Sequence, residues 1–118
     1  MNTRKVGRQK EQIAAKWLEG NGCQIVESNF SCKYGEIDIV FRDGEYLVFG
    51  EVKYRRDECD GHPLEAVSFG KQKKISSASL FYLARNKISD DTPIRYDVIY
   101  ILGNRIDIVK NAFEPILY

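Results

Sequence analysis

Cysteine, histidine, long apolar runs and an excess charge of either sign are all scarce in this 118-residue chain, and each shortage removes a class of function. The three cysteines, Cys23, Cys32 and Cys59, are odd in number and form no C-x-x-C pair, so neither a disulfide framework nor a four-ligand zinc site is expected. Cys59 and His62 have ligand-like spacing, but no second pair would complete a zinc site, and the lone histidine reads as a loop residue. No apolar run approaches the roughly 20 residues needed to cross a bilayer. No signal peptide opens the chain. The expectation is a cytoplasmic protein with reduced thiols and no membrane partner. With 18 basic and 17 acidic residues, the net charge of +1 gives no global attraction to nucleic acid, so any such footprint must be local.

What is present is an ordinary globular composition, 43% hydrophobic and 30% charged, at the length of a single domain spanning residues 1–118. Residues 7–20 carry Ile13, Ala14, Trp17 and Leu18 on one helical stripe, closed by Gly20 and Gly22. A short strand over 23–30 follows, then strands over 36–41 and 46–53 joined through Asp43-Gly44. The stretch 57–63 reads as a loop, and 64–86 as a long helix whose first turn is disturbed by Gly70. A strand over 94–102 and a shorter one from Arg105 complete the order α-β-β-β-α-β-β. A hairpin followed by a helical crossover predicts a mixed sheet with helices packed against it.

The hairpin carries an anomaly. Glu36, Asp38, Glu51 and Lys53 interrupt apolar runs that otherwise read as buried strand. By simple alternation Glu36 and Asp38 share one face, with Ile37 and Ile39 on the other. If Asp43 and Gly44 are the two central turn residues, Glu36 faces Glu51, Asp38 faces Phe49, and all these charges share one face. Asp38 and Glu51 are then diagonal neighbours, about 7–8 Å apart at Cα. A three-residue turn would send them to opposite faces. Facing carboxylates repel, so when partly buried they must bind a proton, a cationic side chain or a metal. Oxygen ligands alone suit Mg2+ or Mn2+, and Lys53 would stand beside the ion, where it could stabilise charge on a phosphate or orient water. Metal-assisted phosphodiester hydrolysis is one reading of this set. A salt-bridged outer strand face is the other.

The segments "GEIDIV" and "EVKYR" resemble the G-E-x-D and E-V-K core of the PD-(D/E)XK nuclease superfamily, and within it the Holliday junction resolvases. Glu11 in the first helix, "SNF", "GEIDIVFRDGEYLVFGEVKYRR", "GHPLEAVSFGKQKKI", "RYDVIYI" and "NAF" follow one another in the order of the YraN-type family, small bacterial proteins described as endonuclease-like. The resemblance runs from about Gly7 to Phe113. It implies an α/β fold with a restriction-endonuclease-like αβββαβ core. It implies Mg2+ or Mn2+ held by Asp38 and Glu51, Lys53 as the catalytic lysine, and Glu11 and Glu36 as auxiliary acids. Lys71, Gln72 and Lys74, opening the second helix, lie where the superfamily carries residues near the site. With Arg55 and Arg56 they are the candidate contacts to nucleic acid, DNA rather than RNA. A homodimer is a further expectation from the resolvases. Gly50 departs from the larger apolar residue that usually precedes E-V-K, and the net charge is low for a junction binder. Two other functions stay open on the same fold: a nucleic-acid-binding module that does not cut, and a protein–protein adaptor.

Overall fold

The computed structural model describes residues 3–56 and 67–116, with side chains from Gly7 onward. Seven elements follow one another: α1 (Thr3–Gly20), β1 (Gln24–Cys32), β2 (Gly35–Asp43), β3 (Tyr46–Arg55), α2 (Phe69–Arg85), β4 (Ile94–Leu102) and β5 (Arg105–Val109). The strands lie in sequence order in one sheet, parallel between β3 and β4 and antiparallel elsewhere. This is a mixed α/β fold, a five-stranded mixed sheet flanked by two helices, compatible with a restriction-endonuclease-like core. The expected element order and fold class are both present. Cys59, His62 and Leu64 lie outside the described residues. Among the described residues no helix is long and apolar enough to cross a membrane.

Both faces of the sheet are buried, which explains why its central strands read as near-continuous apolar runs. Under α1, Ala14 and Leu18 pack on Ile39, Phe41, Val48, Ile99 and Ile101, with Trp17 at the margin. Under α2, Ile75, Ala78 and Tyr82 pack on Phe30, Ile37, Val40, Phe49, Tyr96 and Val98. Small side chains let α2 lie close to the sheet. The buried Ser79 hydroxyl donates to the Ser76 carbonyl (2.7 Å) and pairs with the Tyr96 hydroxyl (2.7 Å), while Ser76 Oγ receives the Ile116 N–H (2.9 Å) and so ties down the tail.

The helix ends follow local chemistry. After α1 the Cys23 N–H donates to the Leu18 carbonyl (3.0 Å) and the Gly22 N–H to the Glu19 carbonyl (3.1 Å), a Schellman motif that needs the positive φ of +88° at Gly22. α2 begins at Phe69, and residues 64–66 of the expected helix lie outside the described residues. Ser68 is extended and its hydroxyl accepts the Lys71 N–H (3.2 Å), which makes it the N-cap and leaves Val67 before the helix.

The β2–β3 turn is also one residue further along than Asp43-Gly44. Asp43 pairs with Tyr46, so Gly44 and Glu45 are the central residues. Gly44 takes φ +61° at the first central position, as a type II′ turn requires. Asp43 stays in the strand because its carboxylate is held by Arg95 (2.8 Å) and Lys110 (3.3 Å). Two central residues remain, so the odd–even relation between the strands survives while the opposed pairs change. Gly50 leaves no loose strand. A Cβ there would come within 3.0 Å of Ile99 Cδ1 and 3.2 Å of Phe41 Cε1, so these two side chains already fill the space.

Candidate active site

The β2–β3 ladder runs from Asp43 opposite Tyr46 to Ile39 opposite Gly50 and pairs no further. Asp38 and Glu51 are the next residue on each strand, just past the last pair, rather than the diagonal neighbours of the expected register. Asp38 Oδ2 instead accepts the Val52 N–H at 2.8 Å, a side chain taking the place of a ladder carbonyl and fixing the carboxylate's direction.

On its other side Asp38 lies across from Asn29, and the β1–β2 ladder passes over that pair, linking Ser28 with Ile39 and Phe30 with Ile37. Asn29 has φ +57°, the left-handed region that non-glycine residues visit rarely. Across from it, β2 changes side. Ile37 packs in the cluster under α2, whereas Ile39 packs in the cluster under α1. The expected alternation, with Ile37 and Ile39 on one face and all the charges on the other, is therefore corrected. Glu36 lies on the α1 side with Glu11, and Glu51 lies on the α2 side against Lys71. Asp38, at the kink, is the residue that senses both.

The electrostatics follow from this placement. Burial, then the charge of Asp38 and a hydrogen bond to it, push the Glu11 carboxyl up to about 7; Glu36 adds to the rise, and a hydrogen bond to Asn29 opposes it. Glu51 is likewise pushed up to about 7 by burial and by Asp38, against the opposing pull of Lys71 and Lys53. The Lys71 ammonium is 3.7 Å from Glu51 Oε1. The remaining oxygens, Glu11 Oε1 and Glu51 Oε2, are buried with no hydrogen-bond partner. A buried carboxylate oxygen without a donor is costly unless a cation or proton serves it. Oxygen donors of this kind suit a hard divalent cation.

The remaining sequence candidates are distributed around this centre. Lys53 is half-buried two residues after Glu51 on β3. Arg55 donates to the Tyr54 carbonyl at 2.8 Å, and Arg56 is exposed beyond the strand. Gln72 is engaged locally, its amide donating to the Val67 carbonyl at 2.8 Å and securing the approach to α2. Lys74 is exposed, with its backbone against Gly35. A pocket of about 340 Å³ opens on the α1 side of Asp38, lined by Arg8, Glu11, Asn29, Ser31 and Glu36 among others. Asn29 was not legible as a pocket residue, because its signal is a backbone conformation rather than a residue type, and Ser31 carries no signal of its own. Among the described residues no three His, Cys, Asp or Glu side chains group tightly enough to hold a metal unaided. Mg2+ does not require that, since it keeps several waters and takes phosphate oxygens from its substrate.

Comparison with known proteins gives the family. Residues 10–101, which include Glu11, Asp38, Glu51, Lys53 and Lys71, match the model of the uncharacterised protein family UPF0102. The chain is 44% identical over 114 residues to a UPF0102 protein of Lachnoclostridium phytofermentans, covering 97% of each chain. It is 41% identical over 114 residues to one of Legionella pneumophila, covering 95% of this chain and 97% of that one. A UPF0102 protein of Clostridioides difficile is 41% identical over 115 residues, covering 96% of this chain and all of that one. With the sheet order, the paired carboxylates and these matches together, the chain belongs to the UPF0102 family, the YraN-type proteins that its motifs resemble.

Proposed function

We propose that this protein is a metal-dependent nuclease that hydrolyses phosphodiester bonds in DNA, with branched or otherwise structured DNA as its substrate. The observation that carries the reading is the pair of buried, unpartnered carboxylate oxygens on Glu11 and Glu51, flanking an Asp38 whose direction is fixed by the Val52 N–H. Asp38 and Glu51 would hold Mg2+ or Mn2+, with Glu11 and Glu36 as auxiliary acids on the α1 side. A bound ion would supply Lewis-acid polarisation of a phosphate oxygen and a lowered pKa for water. The chain's own residues then have distinct tasks. Lys71 holds Glu51 in place through their ion pair. Lys53, on the same strand, brings positive charge to the side where a phosphate would acquire negative charge. Asn29 steadies Glu11. Arg55, Arg56, Lys71 and Lys74 offer charge to the DNA backbone.

Cleavage of labelled linear, flapped and four-way-junction DNA in Mn2+ tests this reading. The wild type is expected to cut, with Asp38→Ala losing all detectable product while melting as a folded protein. Lys53→Arg should abolish cutting yet retain DNA binding. Equal cutting by Asp38→Ala, or no cutting of any DNA by the folded wild type, would overturn the proposal.

A further inference from the structure

We infer that Tyr34, at the tip of the β1–β2 hairpin, is a stacking platform for an unpaired base of the DNA strand. The inference rests on reading the Asp38–Glu51 end of the molecule as DNA-directed. Cys32 pairs with Gly35, so Lys33 and Tyr34 are the two turn residues and project from the sheet. Tyr34 is 47% exposed. Its ring is propped on the core. Its centroid is 5.9 Å from the Phe81 ring, and Phe81 is 6.3 Å from Phe30, which is buried in the core. The hairpin tip also lies tight against α2, where a Cβ on Gly35 would meet Lys74 Cβ at 3.2 Å and the Lys74 carbonyl at 3.3 Å. Phe81 holds the ring from behind, and the Lys33 side chain lying over it would swing aside toward a phosphate when a base stacks.

Its surroundings are cationic. The Lys33 ammonium is 5.2 Å from the Tyr34 centroid. The adjacent α2 carries Lys71, Lys73, Lys74 and Arg85 and not one acid in its 17 residues, although the whole chain is only +1. A propped aromatic ring among ammonium groups is the chemistry of single-stranded nucleic-acid sites, where a base stacks on the ring and phosphates meet the cations. Lys71 is engaged by Glu51, so the positive charge beside the ring is that of Lys33 and Lys74. Tyr34 precedes Asp38 by four residues of β2, on the order of 13 Å along an extended chain. One strand of DNA can lie across both. The platform would therefore favour DNA with unpaired bases, such as a flap or an open junction, over closed duplex.

Fluorescence anisotropy in chelator, so that no cutting intervenes, provides the test with wild type, Tyr34→Ala and Tyr34→Phe. The probes are a blunt duplex and the same duplex carrying a single-stranded flap, at fixed salt. The wild type should prefer the flap, Tyr34→Ala should lose roughly tenfold on the flap and under about twofold on the duplex, and Tyr34→Phe should behave as wild type. Flap binding unchanged by Tyr34→Ala, or no flap preference or no DNA binding by the wild type, overturns the platform. A Tyr34-dependent flap preference in a protein that cuts nothing supports the platform while sinking the nuclease. Cutting that persists with flap binding indifferent to Tyr34 sinks the platform alone.

Discussion

Glu51→Gln is expected to stabilise the metal-free protein at pH 8 by on the order of 2 kcal/mol while lowering DNA cleavage at least roughly a hundredfold. The cause is a carboxylate that folding places between a buried wall and the charge of Asp38. Its pKa rises from the ordinary 4.5 to about 7, so between those values the folded chain keeps a proton that the unfolded chain has lost. The folded state then binds more protons, and stability falls as pH rises through that window. Glu51's favourable contribution is complete below about 4.5 and gone above about 7. Glutamine keeps the shape and has no proton to lose. In urea unfolding, the gap between variant and wild type should be small near pH 4.5 and largest at pH 8. Glu11, shifted upward for similar reasons, leaves part of the slope in the variant. An equal gap at both pH values would mean that the buried charge is not on Glu51. Excess Mn2+ should stabilise the wild type and not the variant, since a ligand held only by the folded state stabilises it by mass action.

Asp97→Ala is expected to cost about 3–5 kcal/mol, a loss of roughly 10–20 °C in melting temperature. Asp97 is fully buried on β4. Arg95 grips both its oxygens, Nε to Oδ1 at 2.8 Å and Nη2 to Oδ2 at 2.7 Å, and the Asn111 N–H adds a third bond at 2.9 Å. The same guanidinium reaches Asp43 and lies over the Tyr46 ring. Removing Asp97 strands a largely buried cation and frees the β2–β3 turn and the segment after β5 together. The double variant Asp97→Leu with Arg95→Leu should recover much of the loss, because no unpaired charge remains. A single variant as stable as wild type would show that this network does not hold the far end of the sheet.

Much of the fold was legible because its signals are local. The 94–102 run of β-branched and aromatic residues coincides with β4, and Gly22 marked the end of α1. Asp38 and Glu51 could be picked out as charges set among apolar neighbours, and Glu11 only through the family resemblance. Their arrangement could not. The choice between Asp43-Gly44 and Gly44-Glu45 depends on an ion pair with Arg95, fifty-two residues from Asp43. The kink that turns Ile37 and Ile39 to opposite faces lies across from the left-handed backbone of Asn29, and no alternation pattern encodes it. The Arg95–Asp97 pair was hidden as well, since two opposite charges two residues apart on a strand look like surface decoration until the layer above them is known.

The most direct measurement is a calorimetric titration of Mn2+ into the wild type and Glu51→Gln at pH 6 and pH 8. The expected result is saturable binding by the wild type, tighter at pH 8, with proton release at pH 6, where Glu11 and Glu51 still hold protons that the ion must displace. Glu51→Gln should bind at least roughly tenfold more weakly. Absence of binding by the folded wild type, or equal binding by Glu51→Gln, would contradict a metal site at the Asp38–Glu51 kink.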